Sequence, residues 1–213
     1  MYIPAPFAET DNSVLHDLID AYGFGILISL DECGAPVASH IPFELDRASG
    51  DNGTLQAHLA RANPQWRGFN AGNEILCIFE GPHAYISPRW YDPANNAVPT
   101  WNYVVVHAYG VPKIVEDTEK VRAQQEALVA RHEEAVIEPW RLDNQPQNYI
   151  ESMLKGIVAF EIPIARIEGK FKLNQNHPAA NRAGAISGLR KEAGDPLSLA
   201  VADLMAAALA SGS

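Results

Sequence analysis

Seven histidines, two cysteines and one arginine set just ahead of an Asn-Pro pair are the residues whose types could do chemistry in this chain. Cys33 and Cys77 lie far apart, and no His-x-x-x-His pair or Cys-x-x-Cys cluster occurs, so zinc-ligand spacing is absent. The cysteines read as free thiols of a reducing compartment. His58-Leu59-Ala60-Arg61-Ala62-Asn63-Pro64 is more informative. Asn63-Pro64 fits a helix start, where free N–H groups and the guanidinium of Arg61 together would suit a phosphate. The plainer reading, a solvated Arg61 beside a half-buried His58, stays open.

Two further segments could meet a ligand. Ser39-His40-Ile41-Pro42-Phe43 carries a proline inside a strand run, which is tolerated at an edge or a bulge. An edge would leave backbone N–H and C=O groups free to bond a flat heteroaromatic ring; a simple strand end is the alternative. In Thr100-Trp101-Asn102-Tyr103, Trp101 could stack and Asn102 could hydrogen-bond a ring, or both could be ordinary packing. No Gly-x-Ser-x-Gly elbow, phosphate loop or Gly-x-Gly-x-x-Gly is present, so hydrolase, kinase and Rossmann dehydrogenase readings lose their main supports. His40 and His58 qualify as acid or base by residue type only, and no catalytic residue is assigned.

The elements that must position these residues follow from apolar spacing and turn chemistry. Ser13 is the expected cap of a first helix marked by Val14, Leu15, Leu18, Ile19 and Tyr22, stopped by Gly23. Phe24 to Leu30 and Val37 to Leu45 read as strands joined by a turn at Asp31-Glu32-Cys33-Gly34. Leu55 to Leu59 and Glu74 to Glu80 read as strands, the second broken by Gly81-Pro82 before His83 to Ile86. Ser87 to Pro99 reads as an irregular loop. Thr100 to Val111 is the longest expected strand, with Trp101, Tyr103, Val105, His107 and Tyr109 on one face and Asn102, Val104, Val106 and Ala108 on the other. A charged helix over Thr118 to Glu134, a strand over Ile157 to Ile167 and Ala-rich helices over Ala179 to Leu189 and Leu197 to Leu209 complete the pattern. Short strands with peripheral helices indicate a β-barrel core with helical decoration, an α+β fold.

Composition narrows the class. The chain has 213 residues, 47% hydrophobic and 20% charged, an ordinary globular balance for one large domain or a domain with an appendage. Its net charge of −10 argues against a broad nucleic-acid surface, because phosphate binding is carried by clustered Lys and Arg. No apolar stretch approaches bilayer length, and Met1 to Phe7 has neither the basic region nor the apolar run of a signal peptide. The expectation is a cytoplasmic protein with no membrane contact.

Several blocks together resemble one family: Met1-Tyr2-Ile3-Pro4, Ser39 to Phe43, His58 to Pro64, Gly81-Pro82-His83-Ala84-Tyr85-Ile86-Ser87-Pro88, Trp90-Tyr91, Val98 to Tyr103 and Lys170-Phe171-Lys172-Leu173-Asn174-Gln175-Asn176. They are similar, in order and over nearly the whole chain, to the PaiB-type FMN-binding negative transcriptional regulators. The resemblance implies an FMN-binding split β-barrel of the pyridoxamine-phosphate-oxidase type over residues 1–176, followed by a C-terminal helical extension over 177–213. It further implies a homodimer with FMN at the subunit interface. Carried over, Ser39, His40, Ile41 and Pro42 would run along the isoalloxazine. His58, Leu59, Ala60, Arg61 and Asn63 would lie near the phosphate. Trp101 and Asn102 would approach from the same or the partner subunit, and Lys170, Lys172 and Gln175 would complete the site. Asn181-Arg182 and Gly188-Leu189 fit the family pattern and name no chemistry.

The regulator role draws little from the residues themselves. The two C-terminal helices mimic a helix-turn-helix, but nothing after Lys191 is basic, whereas Glu192, Asp195 and Asp203 are acidic. A recognition helix presents Arg, Lys, Asn or Gln to DNA, so direct DNA binding is doubtful and the last helix is expected to pack on the barrel or a partner subunit. A flavin-dependent oxidoreductase is the other functional class these residues leave open.

Overall fold

The computed structural model describes residues 1–93 and 97–212. It divides into two compact units, one of residues 1–22, 79–107 and 168–213 and the other of 23–78 and 108–167. The C-terminal stretch 177–213 falls in the first unit, its last residue outside the described ones. Of the loop expected over Ser87 to Pro99, residues 94–96 lie outside the described residues; its start forms a short 3-10 turn, Pro88–Trp90, capped by Ser87.

In the first unit, α1 (Asn12–Ala21) is capped by Asp11, whose carboxylate accepts the Ser13 N–H at 2.8 Å, so the cap lies two residues ahead of the one expected. Leu15, Leu18 and Ile19 turn inward from it, none more than 7% exposed. The strands run in the order β1 (Ala8–Glu9), β10 (Arg166–Lys172), β7 (Thr100–Gly110), β6 (Ile75–Ile86). Helix α1 approaches β10 where Gly169 has no side chain; a Cβ there would sit 2.2 Å from Leu15 Cδ2.

Gly81-Pro82 does not break β6. The strand runs through, and its buried alternation slips by one residue there, from Phe79 and Gly81 to Pro82, Ala84 and Ile86. Such a slip is what a bulge produces, and a bulge tolerates proline. Gly81 serves close packing rather than a turn, since a Cβ would meet Val104 Cγ2 at 2.5 Å. In β7 the even residues Asn102, Val104, Val106 and Ala108 are buried and the odd, aromatic positions stay half-buried or exposed. The chain closes the unit with α4 (Ala179–Gly188), a π turn over Leu189–Ala193, and α5 (Pro196–Ala210). Val201, Ala202 and Met205 of α5 are fully buried, and Asn102 Nδ2 donates to Met205 Sδ at 3.2 Å, so α5 covers the even face of β7.

In the second unit, β2 (Phe24–Leu30) and β3 (Pro36–Pro42) form the expected hairpin. Asp31 Oδ1 accepts the N–H groups of Cys33 and Ala35 at 2.8 and 2.9 Å, and Gly34 takes the left-handed φ of 78° the turn needs. Strand β3 ends the order β6-β2-β3. The single strand expected over Val37 to Leu45 is two strands. Phe43 is buried, its N–H donating to Gly23 O at 2.8 Å, and the chain turns there into β4 (Glu44–Asp46) of another sheet. That sheet runs β4, β5 (Thr54–Ala60), β9 (Ile157–Pro163), β8 (Lys113–Ile114). The strand expected over Ile157 to Ile167 likewise divides, because the chain leaves β9 after Pro163 and enters β10 at Arg166. Helix α2 (Thr118–Glu133) is the charged helix expected there and is capped by Asp117, and α3 (Gln147–Lys155) is an element the sequence reading did not contain. Phe69 meets Phe160 edge-on, 4.9 Å between ring centroids, and both are buried.

Among the described residues no helix is long and apolar enough to cross a membrane, and no group of three His, Cys, Asp or Glu could hold a metal ion. Both thiols are free; Cys33 is exposed and Cys77 is buried, which pushes its pKa far up.

Candidate functional site

The outermost strand of the second unit is held by one buried amide. Ser39 Oγ donates to Gln65 Oε1 at 2.6 Å and accepts from Asn63 Nδ2 at 2.9 Å. Asn63 Oδ1 accepts the Gln65 N–H at 3.0 Å and so caps the 3-10 turn Pro64–Ala71, the start expected at Asn63-Pro64. Gln65 is 6% exposed, and its Nε2 lies 3.1 Å from Ser29 Oγ and 3.2 Å from Leu27 O. Ser39 and Asn63 are therefore brought together by a residue that sequence reasoning missed. On the same strand His40 is exposed, Ile41 is buried, and Pro42 closes the ladder opposite Phe24.

Strand β5 delivers Arg61. Its register on β9 pairs His58 with Ala159 and Ala60 with Ile157, so the chain emerges beside the α3–β9 turn. There Arg61 N–H donates to Gly156 O at 2.8 Å, Nε to Lys155 O and Nη2 to Ile157 O, each at 2.7 Å. Two of the five guanidinium N–H groups are committed to carbonyls, which fixes the fork and, among the described residues, leaves the others available to an anion. Arg61 lines a cavity of about 810 Å³ with Trp66, Arg122, Glu151, Lys155 and Val158, and Trp66 Nε1 donates to Arg61 O at 3.1 Å. Leu59 is buried and Ala60 exposed.

His58 is half-buried, and desolvation lowers its pKa below the ordinary value near 6.5. The unfolded chain takes up a proton at that ordinary value while the folded one does not, so stability is intact above it and falls as pH drops below it. His177 of the first unit adds in the same direction, through burial and then the charge of Lys172. A urea midpoint that declines from about pH 6.5 downward, and declines less steeply in His58→Gln, is the expected result. An unchanged slope in the variant would remove His58 from this dependence.

The remaining expected residues lie in the first unit. Trp101 is 54% exposed, with Tyr85 edge-on at 6.0 Å and His83 tilted at 6.1 Å. Asn102, on the opposite face of the strand, is fully buried. Lys172 Nζ donates to Trp101 O at 2.7 Å and also to Thr100 Oγ1, and burial followed by the charge of Lys170 lowers its pKa. Lys170 Nζ lies 5.3 Å from the Tyr103 ring and 5.6 Å from the Tyr2 ring. Gln175 ties the end of β10 to the next turn: Oε1 accepts from Leu173 N at 2.7 Å and Nε2 donates to Phe171 O at 2.6 Å. Asn174 in that turn holds φ 64° and donates to Tyr91 Oη at 2.8 Å. Thus Ser39, Asn63 and Arg61 are organised in one unit, and Trp101, Lys170, Lys172 and Gln175 in the other. Gln65, Trp66 and Lys155 carried no local signal, because what places them is pairing between distant segments.

Comparison with known proteins matches this geometry to a class. The α+β fold, with its antiparallel sheets, has counterparts among solved structures. It is similar to the FAD and heme binding protein from Mycobacterium smegmatis (TM-score 0.56, 18% identity, 78% of this chain and 73% of that one). It is also similar to the flavocytochrome Anf3 from Azotobacter vinelandii (TM-score 0.55, 15% identity, 78% and 69% of the two chains). The family described as "Putative FMN-binding domain" matches residues 1–166, and the chain belongs to that family. It is 35% identical over 205 residues to Protease synthase and sporulation protein PAI 2 of Bacillus subtilis, covering 96% of each chain. An uncharacterized protein of Emericella nidulans is 34% identical, over 88% of this chain and 90% of its own.

Proposed function

We propose that the protein is a cytoplasmic, homodimeric FMN-binding regulator of the PaiB type that acts through a protein partner. The observation that carries the flavin part is Arg61: a guanidinium fixed by two backbone carbonyls, with further N–H groups available, on the wall of a cavity of ligand size. The donor set fits the group. Arg61 would take the phosphate, and the edge of β3, stiffened by the Ser39–Gln65–Asn63 bonds, would lie along the ring. Bound FMN supplies a redox-active ring, and the protein's own part is to bind and orient it. Family membership supports FMN over FAD. The half-exposed aromatic face of β7 supports a dimer, and the net charge of −10 with no basic residue in α5 supports a partner rather than bare DNA.

Light scattering should return twice the chain mass, and a gel shift of the protein alone should show weak DNA binding at physiological salt. FMN-loaded protein should oxidise NADH or NADPH no faster than free FMN. Sustained turnover would replace the regulator with the oxidoreductase reading, a clean monomer would remove the dimer, and tight sequence-selective binding would remove the need for a partner.

A further inference from the structure

We propose that Arg182, buried in the first turn of α4, is the centre of an oxyanion site that takes a phosphate group, free or carried on a ligand. Arg182 is only 7% exposed, and among the described residues neither its Nε nor its Nη2 has a hydrogen-bond partner. A guanidinium keeps its charge when buried, and a buried charge is retained where something of opposite sign meets it.

Its position sharpens the point. Helix α4 has no side-chain cap at Pro178 and no acidic residue in its first turn, so a cation there faces the positive end of the helix dipole. Lys172 adds positive potential nearby, since its charge reaches His177 just ahead of the helix. On the neighbouring residue, Asn181 Oδ1 accepts the Asp92 N–H at 3.0 Å. Trp90 packs on the face of α4 that carries Gly184 and Gly188, away from the Arg182 side of the helix. A Cβ on Gly184 would be 2.0 Å from Trp90 O, and one on Gly188 would be 2.2 Å from its ring. Among the described residues Trp90 Nε1 is also buried without a partner. Arginine and indole nitrogens donate and never accept. A buried guanidinium with unmet donors calls for an acceptor-rich group, and an oxyanion is its strongest such complement. The inference stands apart from the flavin reading, which rests on Arg61 in the other unit.

The test is thermal unfolding of the full chain and of Arg182→Met and Arg182→Lys. The media are sodium phosphate, sodium chloride at matched ionic strength, FMN and riboflavin. Phosphate should raise the wild-type midpoint by about 5–10 °C at a hundredfold excess over Kd, leave Arg182→Met unmoved and move Arg182→Lys partway. Protection by FMN, but not by riboflavin or free phosphate, that is lost in Arg182→Met would assign the anion to the flavin phosphate and move that role from Arg61 to Arg182. A wild type for which phosphate acts as chloride and FMN as riboflavin would overturn the site, as would an Arg182→Met variant that responds as the wild type does. If Arg182→Met does not fold, the wild-type comparison decides alone.

Discussion

Arg61→Ala weakens FMN binding by about tenfold to a hundredfold in calorimetry, the expected loss when a charge-assisted contact of about 1.5–3 kcal/mol is removed. Riboflavin, which has no phosphate, loses much less in the same variant. Arg61→Lys restores part of the FMN affinity, because an ammonium keeps the charge without the fork. The comparison between ligands matters because Arg61 also has structural work. Its Nε and Nη2 hold Lys155 O and Ile157 O, so the alanine variant loosens the end of β5 from the α3–β9 turn. That loosening affects both flavins alike, whereas loss of a phosphate contact affects only FMN. Equal losses would leave Arg61 as a brace for the fold.

Gly110→Ala is expected to be the most damaging small substitution in the second unit. A Cβ at this last residue of β7 would sit 2.3 Å from Pro163 O and 2.7 Å from Ile162 Cγ2. The first is a backbone carbonyl of β9, which cannot rotate aside as a side chain would. Relief requires moving β9, and the cost belongs at the upper end of overpacking, about 3 kcal/mol. For a chain of this length that lowers the thermal midpoint by about 6–12 °C. Gly34→Ala is the control. It has nothing within 4 Å, and its φ of 78° carries only a left-handed backbone penalty, about 1 kcal/mol. A Gly110 variant as stable as the Gly34 variant would mean that β7 and β9 separate freely at this point.

What the sequence made legible is local. The Asp31 to Gly34 turn, the Asn63 cap and the two faces of β7 each follow from residues within a few positions of one another. What it hid depends on partners far along the chain. Gly81-Pro82 has the composition of a break, yet β6 runs through it, and Gly81 is where Val104 leaves no room for a Cβ. Phe43 has the composition of a strand residue, yet it is where the chain leaves one sheet for another. Helix α3 buries chiefly Ile150, too small an apolar mark to stand out. In the site, Ser39, Asn63 and Arg61 could be singled out by type. Gln65, which ties the first two together, and the carbonyls that fix the third could not. Asn102 shows the limit most clearly: it neighbours Trp101 in sequence, yet points to the opposite face and is bonded to Met205.

The proposed FMN site joins a phosphate contact at Arg61 to the edge of β3. Equilibrating the purified protein with FMN and passing it through a sizing column, with absorbance followed in the visible and at the protein band, tests it most directly. The expected result is a flavin band that travels with the protein at the dimer position, at close to one FMN per chain, and that is largely lost when riboflavin replaces FMN. Flavin that separates completely from the protein at micromolar concentration would contradict it.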